Sequence, residues 1–276
     1  MRHNILFTFL LLLSTKSIFS QKCFTVYDSL TNKKIAYSNI WKENKIYANS
    51  DLEGKFWIKD IDLQNQFKIS CIGYKTKTIN ISQNSVYLNV DVIALKEIVI
   101  LQPLKNKQIK LGSYKGNEIA LTANYDLQIA EAGRAFILGD STAYFLKKIK
   151  FITIASAPNR TIGIKIYSLN NNYEPDELIT TENIICEVKK GFETTVVDFS
   201  NRAIPLPKKG FFVSFQFLLI EQNKQFGERN KLWYFYEPSI GATQNVEGAI
   251  YYSMIEKNVW KKHENCQLNI QVELTD

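Results

Sequence analysis

Histidine is nearly absent: the chain holds two, His3 and His263. A Ser-His-Asp or Cys-His triad in the body of the chain would have to use His263, and no GxSxG turn or comparable nucleophile site accompanies it. His263 stands beside Lys261 and Lys262 and reads as a solvated residue of a hairpin. Cysteine is also sparse. Cys23, Cys71, Cys186 and Cys266 lie too far apart in sequence for a zinc centre, which takes several Cys or His ligands at close spacing. No DxDxDG-type loop offers a calcium site. No metal and no cofactor is therefore expected. Alanine is scarce while Phe, Tyr, Ile and Val abound, which favours strands over helices. Long apolar runs are missing except for residues 5–13, broken by Thr8 and too short to anchor in a bilayer. No membrane span is expected downstream of it.

That run belongs to a secretory signal. Arg2 supplies its positive start, and Ser17 and Ser20 are small residues near a cleavage point after Ser20. Gln21 and Lys22 are not the small residues that lipidation of Cys23 would need. The expected location is therefore exported: periplasmic, outer-membrane-associated or secreted. Cleavage removes Arg2 and Lys16, taking the 34 basic residues to 32 against 27 acids, a net charge of +5. The excess is scattered as Lys pairs at 147–148, 189–190, 208–209 and 261–262, not gathered on one face, so no nucleic-acid partner is expected. Apolar residues at 45% and aromatics at 13% exclude disorder as the dominant state.

Strand patterns then run the length of the chain. Residues 23–27, 35–41, 46–49 and 56–58 are strand-like, separated by turn-prone stretches such as 28–34 and 49–54. Phe67, Ile69 and Cys71 alternate with Lys68 and Ser70, and Val86, Leu88, Val90 and Val92 alternate again. The blocks VYDSLTNKKIAYSNI, NSDLEGKFWI, FKISCIGYKTKTINI and YLNVDVIALKEIVI, in that order, resemble the carboxypeptidase-regulatory-like domain. Asp28, Ile35, Tyr37, Asn39, Ile40, Asp51, Gly54, Phe56, Ser70, Gly73 and Tyr74 carry the match. The resemblance implies a small seven-stranded, transthyretin-like β-sandwich over about residues 22–101, a module that brings no catalytic residues of its own. In TonB-dependent outer-membrane receptors a segment like 95–100 precedes a plug and barrel. Neither follows in this sequence, so receptor activity is not expected. The apolar run 98–101 is expected to be buried, as a strand shared between two domains or the last strand of the first, and not to recruit TonB.

The polar stretch 102–110, with Pro103, reads as a linker, making the domains 21–101 and 111–276. Residues 127–136 read as a short helix. Beyond them strands recur at 149–151, 162–166, 184–188, 194–199, 211–219, 232–236, 249–255, 259–261 and 266–274, with Pro205 and Pro207 bracketing a turn. Many short strands with regular turn signals indicate a second, larger sandwich of jelly-roll type, so the fold class is all-β.

Two sets of side chains stand out in the second domain. Cys186 shares a strand face with Ile184 and Val188, and Cys266 shares one with Leu268 and Ile270, so both point inward. An intra-sandwich disulfide and two separate buried thiols are both open readings. Aromatics crowd at Trp233, Tyr234, Tyr236, Tyr251, Tyr252 and Trp260. Because successive strand residues face opposite ways, part of each cluster points away from the core. That outward part is either a ligand platform for sugar rings or a second packed layer. The expected function is a non-enzymatic envelope protein that binds or scaffolds, with a glycan or an outer-membrane protein as partner. The alternative is a glycan hydrolase using acids of the second domain, where Glu174, Asp176, Glu177 and Glu228 are available beside Asp60 and Asp62 of the first.

Overall fold

The structure, a computed structural model, describes residues 21–80, 83–91, 107–115, 119–124, 129–139, 142–227, 234–254 and 259–276. The signal segment 1–20, the run 95–101, Glu228 and Trp233 lie outside the described residues. Among the described residues the regular structure is strand apart from two short 3-10 turns, as the all-β reading expects.

The N-terminal part forms two small sheets around one core. Strands β1 (Gln21–Asp28), β4 (Lys55–Lys59) and β7 (Ser85–Leu88) form the first, with β1 central, antiparallel to β4 and parallel to β7. Strands β2 (Asn39–Lys42), β3 (Lys45–Asn49), β5 (Phe67–Ser70) and β6 (Lys77–Ile79) form the second, in the order β3-β2-β5-β6. Alternate residues face inward: Phe24 and Val26 of β1, Phe56 and Ile58 of β4, Val86 and Leu88 of β7 meet Ile40, Phe67 and Ile69. The turn after β1 is held by Asp28, whose carboxylate accepts the amide hydrogens of Leu30 (2.8 Å) and Thr31 (2.9 Å) and the Tyr74 hydroxyl (3.0 Å). Gly54, at φ 69°, closes the β3–β4 turn against the Val26 and Ile35 carbonyls, where a side chain would crowd both.

The remaining strands make one fourteen-stranded sheet that folds back on itself. They are β8 (Gln108–Ser113), β9 (Ile119–Asn124), β10 (Ile129–Ile137), β11 (Tyr144–Ala155), β12 (Arg160–Leu169), β13 (Pro175–Leu178), β14 (Ile184–Val188), β15 (Gly191–Asp198), β16 (Ile204–Leu206), β17 (Gly210–Phe217), β18 (Lys224–Phe226), β19 (Tyr234–Met254), β20 (Trp260–Leu268) and β21 (Ile270–Thr275). The path runs β13-β12-β17-β10-β19-β11-β21-β8. The long β19 joins the two layers, pairing β10 near its C-terminal end and β9, β18 and β11 nearer its start. Between the layers Phe211, Val213, Phe215 and Phe217 of β17 meet Ile149 and Phe151 of β11, and Leu268, Ile270, Val272 and Leu274 of β20 and β21. The Phe151 and Phe215 rings stand 4.3 Å apart.

Three readings of the sequence are corrected here. The helix read over 127–136 is not formed by its described residues, 129–136, because Ile129–Ile137 is β10, paired between β17 and β19. Covered on both faces, β10 shows no period-two alternation, and its small residues give no local sign of a strand. Pro205 lies within β16 instead of bracketing a turn. Among the described residues that short strand pairs only with β11, an edge where a missing amide hydrogen costs little. Gln108, Ile109 and Lys110, assigned to the linker, are paired in β8.

The outer face of the β12-β17-β10 layer is also covered, so that all of β17 is buried. Three tiers follow one another along it. Phe212 lies beside Tyr167, Ser214 beside Lys165, and Gln216 beside Gly163. The last tier meets the N-terminal part. Gln216 donates to the Asn39 Oδ1 (2.8 Å), and Ile46 and Trp41 pack against Ala130 and Leu219. Asn49 and Leu219 bond reciprocally: the Asn49 amide donates to the Leu219 carbonyl (3.1 Å), and the Leu219 amide to the Asn49 Oδ1 (2.8 Å).

Candidate functional site

The first tier of that outer face is aromatic. Phe212 meets Tyr251 edge-on with centroids 5.7 Å apart and Trp260 at 5.2 Å, while Tyr167 stands 5.8 Å from Trp260. Gly133 makes this layer possible: the Phe212 ring lies over it, where any side chain would collide. Tyr251 and Trp260 are therefore packed as a second layer and offer little free ring face. Tyr236 and Tyr252 pack against the main core. Tyr234 is half-buried, edge-on to Tyr236 at 5.8 Å and capped by Lys224 at 4.6 Å from its centroid.

The second tier is a buried ion pair. Lys165 bonds the Glu131 Oε1, and the other carboxylate oxygen accepts the Tyr167 hydroxyl (2.9 Å) and the Ser214 hydroxyl (3.0 Å). Burial and the Glu131 charge push the Tyr167 phenol far above its ordinary value, so it stays protonated and donates. With two hydroxyls and an ammonium on one carboxylate, Glu131 is satisfied on every side, as a buried charge requires.

An open cleft of about 490 Å³ runs along the margin of the aromatic tier. It is lined by Arg134, Tyr173, Glu247, Tyr251, Glu264 and Gln267, among others. Arg134 is fixed from behind: its Nη1 donates to the Leu268 carbonyl (3.1 Å) and its guanidinium lies 4.9 Å from the Phe136 centroid. Tyr173, in the left-handed region at φ 61°, is 47% exposed, and Lys209 sits 4.8 Å from its ring. Lys262 bonds Glu264 at 2.8 Å and holds that carboxyl below its usual range. The cleft thus combines an exposed ring with planar polar groups, a set able to stack on and hydrogen-bond a polar ring.

Of the six aromatic residues singled out in the sequence, Tyr251 reaches this cleft; Tyr234, Tyr236, Tyr252 and Trp260 do not line it, and Trp233 lies outside the described residues. Arg134 and Tyr173 were missed. Arg134 is the one basic residue of β10, and Tyr173 sits in a turn that reads as solvated. The acids fare differently. Asp62 is engaged by Lys42 (2.6 Å) and Tyr47 (3.1 Å), and Glu174, Asp176 and Glu177 are exposed. His263 is exposed, as expected of a hairpin residue, and sits on the strand β20 opposite Ile250 of β19.

All four cysteines are free thiols, so of the two readings open for Cys186 and Cys266 the structure has the separate thiols. They sit on different strand pairs, Cys186 opposite Ile162 and Cys266 opposite Gln244. Cys266 is in the core at 1% exposure, whereas Cys186 is half-buried. Burial, with Glu187 beside it, pushes the Cys186 thiol up to about 11.

No family model matches the chain, and no characterised protein sequence matches it. Among solved structures it is similar to the cysteine protease Cwp84 after propeptide cleavage, at 10% identity and a TM-score of 0.41, over 61% of this chain and 40% of that one. A second Cwp84 structure, of the cysteine protease and lectin-like domains of this surface-layer-associated protein of Clostridium difficile, gives 11% identity and 0.38 over 83% and 44%. An infectious bursal disease virus structure gives 9% identity and 0.28 over 93% and 60%. The chain spans less than half the length of the two Cwp84 chains, and likenesses this distant assign it neither a family nor an activity.

Proposed function

We propose that this chain is an exported, non-enzymatic protein of the cell envelope that binds a glycan in the cleft of its large sheet. The observation that carries this reading is the exposed Tyr173 ring set beside Arg134, Glu247, Glu264 and Gln267 in an open groove. A sugar presents an apolar ring face and a rim of hydroxyls. An aromatic side chain takes the first, and guanidinium, carboxylate and amide groups take the second. The resemblance of the N-terminal part to a carboxypeptidase-regulatory-like module supports a scaffolding role for that part.

Glycan-array screening of the chain, followed by calorimetry on the retained sugar, tests this. Tyr173→Ala should weaken binding by roughly tenfold, the loss of one aromatic contact. Absence of any retained glycan, or binding indifferent to Tyr173→Ala, would overturn the reading. The alternative, a glycan hydrolase, has Glu247 and Glu264 in the same groove to draw on. A general acid has to hold a proton near neutral pH, whereas Lys262 pushes Glu264 the other way. Release of reducing ends by the wild-type chain would make the hydrolase the better reading.

A further inference from the structure

Where the N-terminal part meets the third tier of the outer face, a second cavity of about 210 Å³ opens between them. Tyr37, Asn39, Ser70, Cys71 and Ile72 line it from one side, and Lys165, Asn183 and Gln216 from the other. At this level β12 carries Gly163, and the Gln216 side chain lies across the glycine, 3.1 Å from where a Cβ would stand. The geometry points to a binding site for a small organic carboxylate, held by Lys165 and clasped by both parts of the chain.

The charge of the lining carries the choice of ligand. Among the described residues that line it, Lys165 is the one that carries a charge. Among the described residues Glu131 is the group that Lys165 bonds, which leaves two ammonium hydrogens for the cavity. The Glu131 charge is offset on its far side by the Tyr167 and Ser214 hydroxyls. Cys71 adds no anion. Burial raises its thiol, despite Asn183 donating to the sulfur at 3.2 Å. The remaining groups are neutral and polar. The Ser70 hydroxyl accepts the Trp41 indole hydrogen (2.8 Å) and keeps its own hydrogen for a second oxygen. The cavity has the volume of about seven waters, room for an acid of a few carbons and too little for a sugar chain.

A backbone oddity marks the same place. Tyr37 holds φ 57°, a region that bulky residues avoid and that clusters at ligand sites. The Tyr37 side chain joins the wall of the cavity.

The test is titration of the isotope-labelled chain with sodium acetate and sodium propionate, with acetamide and sodium chloride as controls, read by amide chemical shifts. Saturable shifts at Ile72, Lys165 and Asn183 with the carboxylates, and none with acetamide or chloride, are expected. Asn183→Leu replaces a polar group of the lining by a bulkier apolar one while leaving the Lys165–Glu131 pair intact, and should weaken binding by roughly tenfold or more. Lys165→Met should do the same, and its amide dispersion reports whether the fold persists. Three results would each overturn the proposal: no saturable shifts, equal shifts with acetamide, or undiminished binding by a folded Asn183→Leu variant.

Discussion

Replacing Glu131 by Gln would test the energetics of the outer face most directly. The amide matches the carboxylate in shape, so little is added or removed but the charge. Lys165, with its side chain 12% exposed, would then hold an ammonium against a neutral partner with almost no water to compensate. Losing one member of a buried pair costs ~3–5 kcal/mol. The Tyr167 and Ser214 hydroxyls would also pass from a charged to a neutral acceptor, a loss of ~1 kcal/mol each. These losses overlap, since all three donors share one carboxylate, so ~3–5 kcal/mol is expected in total. Removing both charges, as Glu131→Gln with Lys165→Met, leaves no orphaned ion, keeps an amide oxygen for the Tyr167 and Ser214 hydroxyls, and should return stability to within ~1–2 kcal/mol of wild type. Urea denaturation followed by tryptophan fluorescence suits the measurement, because Trp260 stands 5.8 Å from the Tyr167 ring. Far-UV circular dichroism checks that both probes see one transition. A single variant within ~1 kcal/mol of wild type would refute the reasoning. So would a double variant whose loss equals the sum of the two singles, since a coupled pair cannot be additive.

Two further predictions concern acid and thiols. Asp28 is held below its ordinary range by the amides of Thr31 and Leu30, Asp62 by Lys42, and Glu273 by Lys150. Carboxyls lowered in the folded state contribute stability that is complete above the unfolded value near 4 and lost as pH falls through the folded ones. The thermal midpoint should therefore hold from pH 7 to about 5 and decline below about 4, and a flat profile down to pH 2.5 would contradict it. Unfolding without reductant should expose four alkylatable thiols by mass, whereas in the native chain Cys266 stays unlabelled and Cys186, with its thiol pushed up to about 11, reacts slowly. Finding two thiols fewer in the unfolded chain would restore the disulfide.

The parts legible in the sequence are those with one wet face or one uniform face. Phe67 and Ile69 alternate with Lys68 and Ser70 because β5 has solvent on one side. The apolar positions 211, 213, 215 and 217 point into the core as their spacing implies. What failed is β10, whose Glu131 and Arg134 are polar and yet engaged at depth, and whose Gly133 is small because a ring from β17 occupies its place. No local pattern encodes a neighbour's ring. The cleft was hidden for a similar reason. Tyr173, Arg134 and Glu264 come from three stretches that only the sheet order brings together. The outward aromatics were recognised as outward, but Tyr167 and Phe212, which cover them, carry no signal of that contact in their own segments.

Asn49 has a consequence for how interchangeable the N-terminal part is. Its backbone amide and side-chain oxygen grip Leu219 in the manner of one more rung of a sheet, while its Nδ2 donates to the Asn39 Oδ1 at 2.6 Å. An aspartate could not donate to Asn39, a glutamine would overshoot by a methylene, and a serine would fall short. A module of the same shape with another residue at that position would therefore lack the fastening and settle in a different register, or not at all. Fit between the two parts is written in single amide groups as well as in the packing of Ile46 and Trp41 on Ala130 and Leu219, so grafting the large sheet onto a foreign partner should depend strongly on this one side chain.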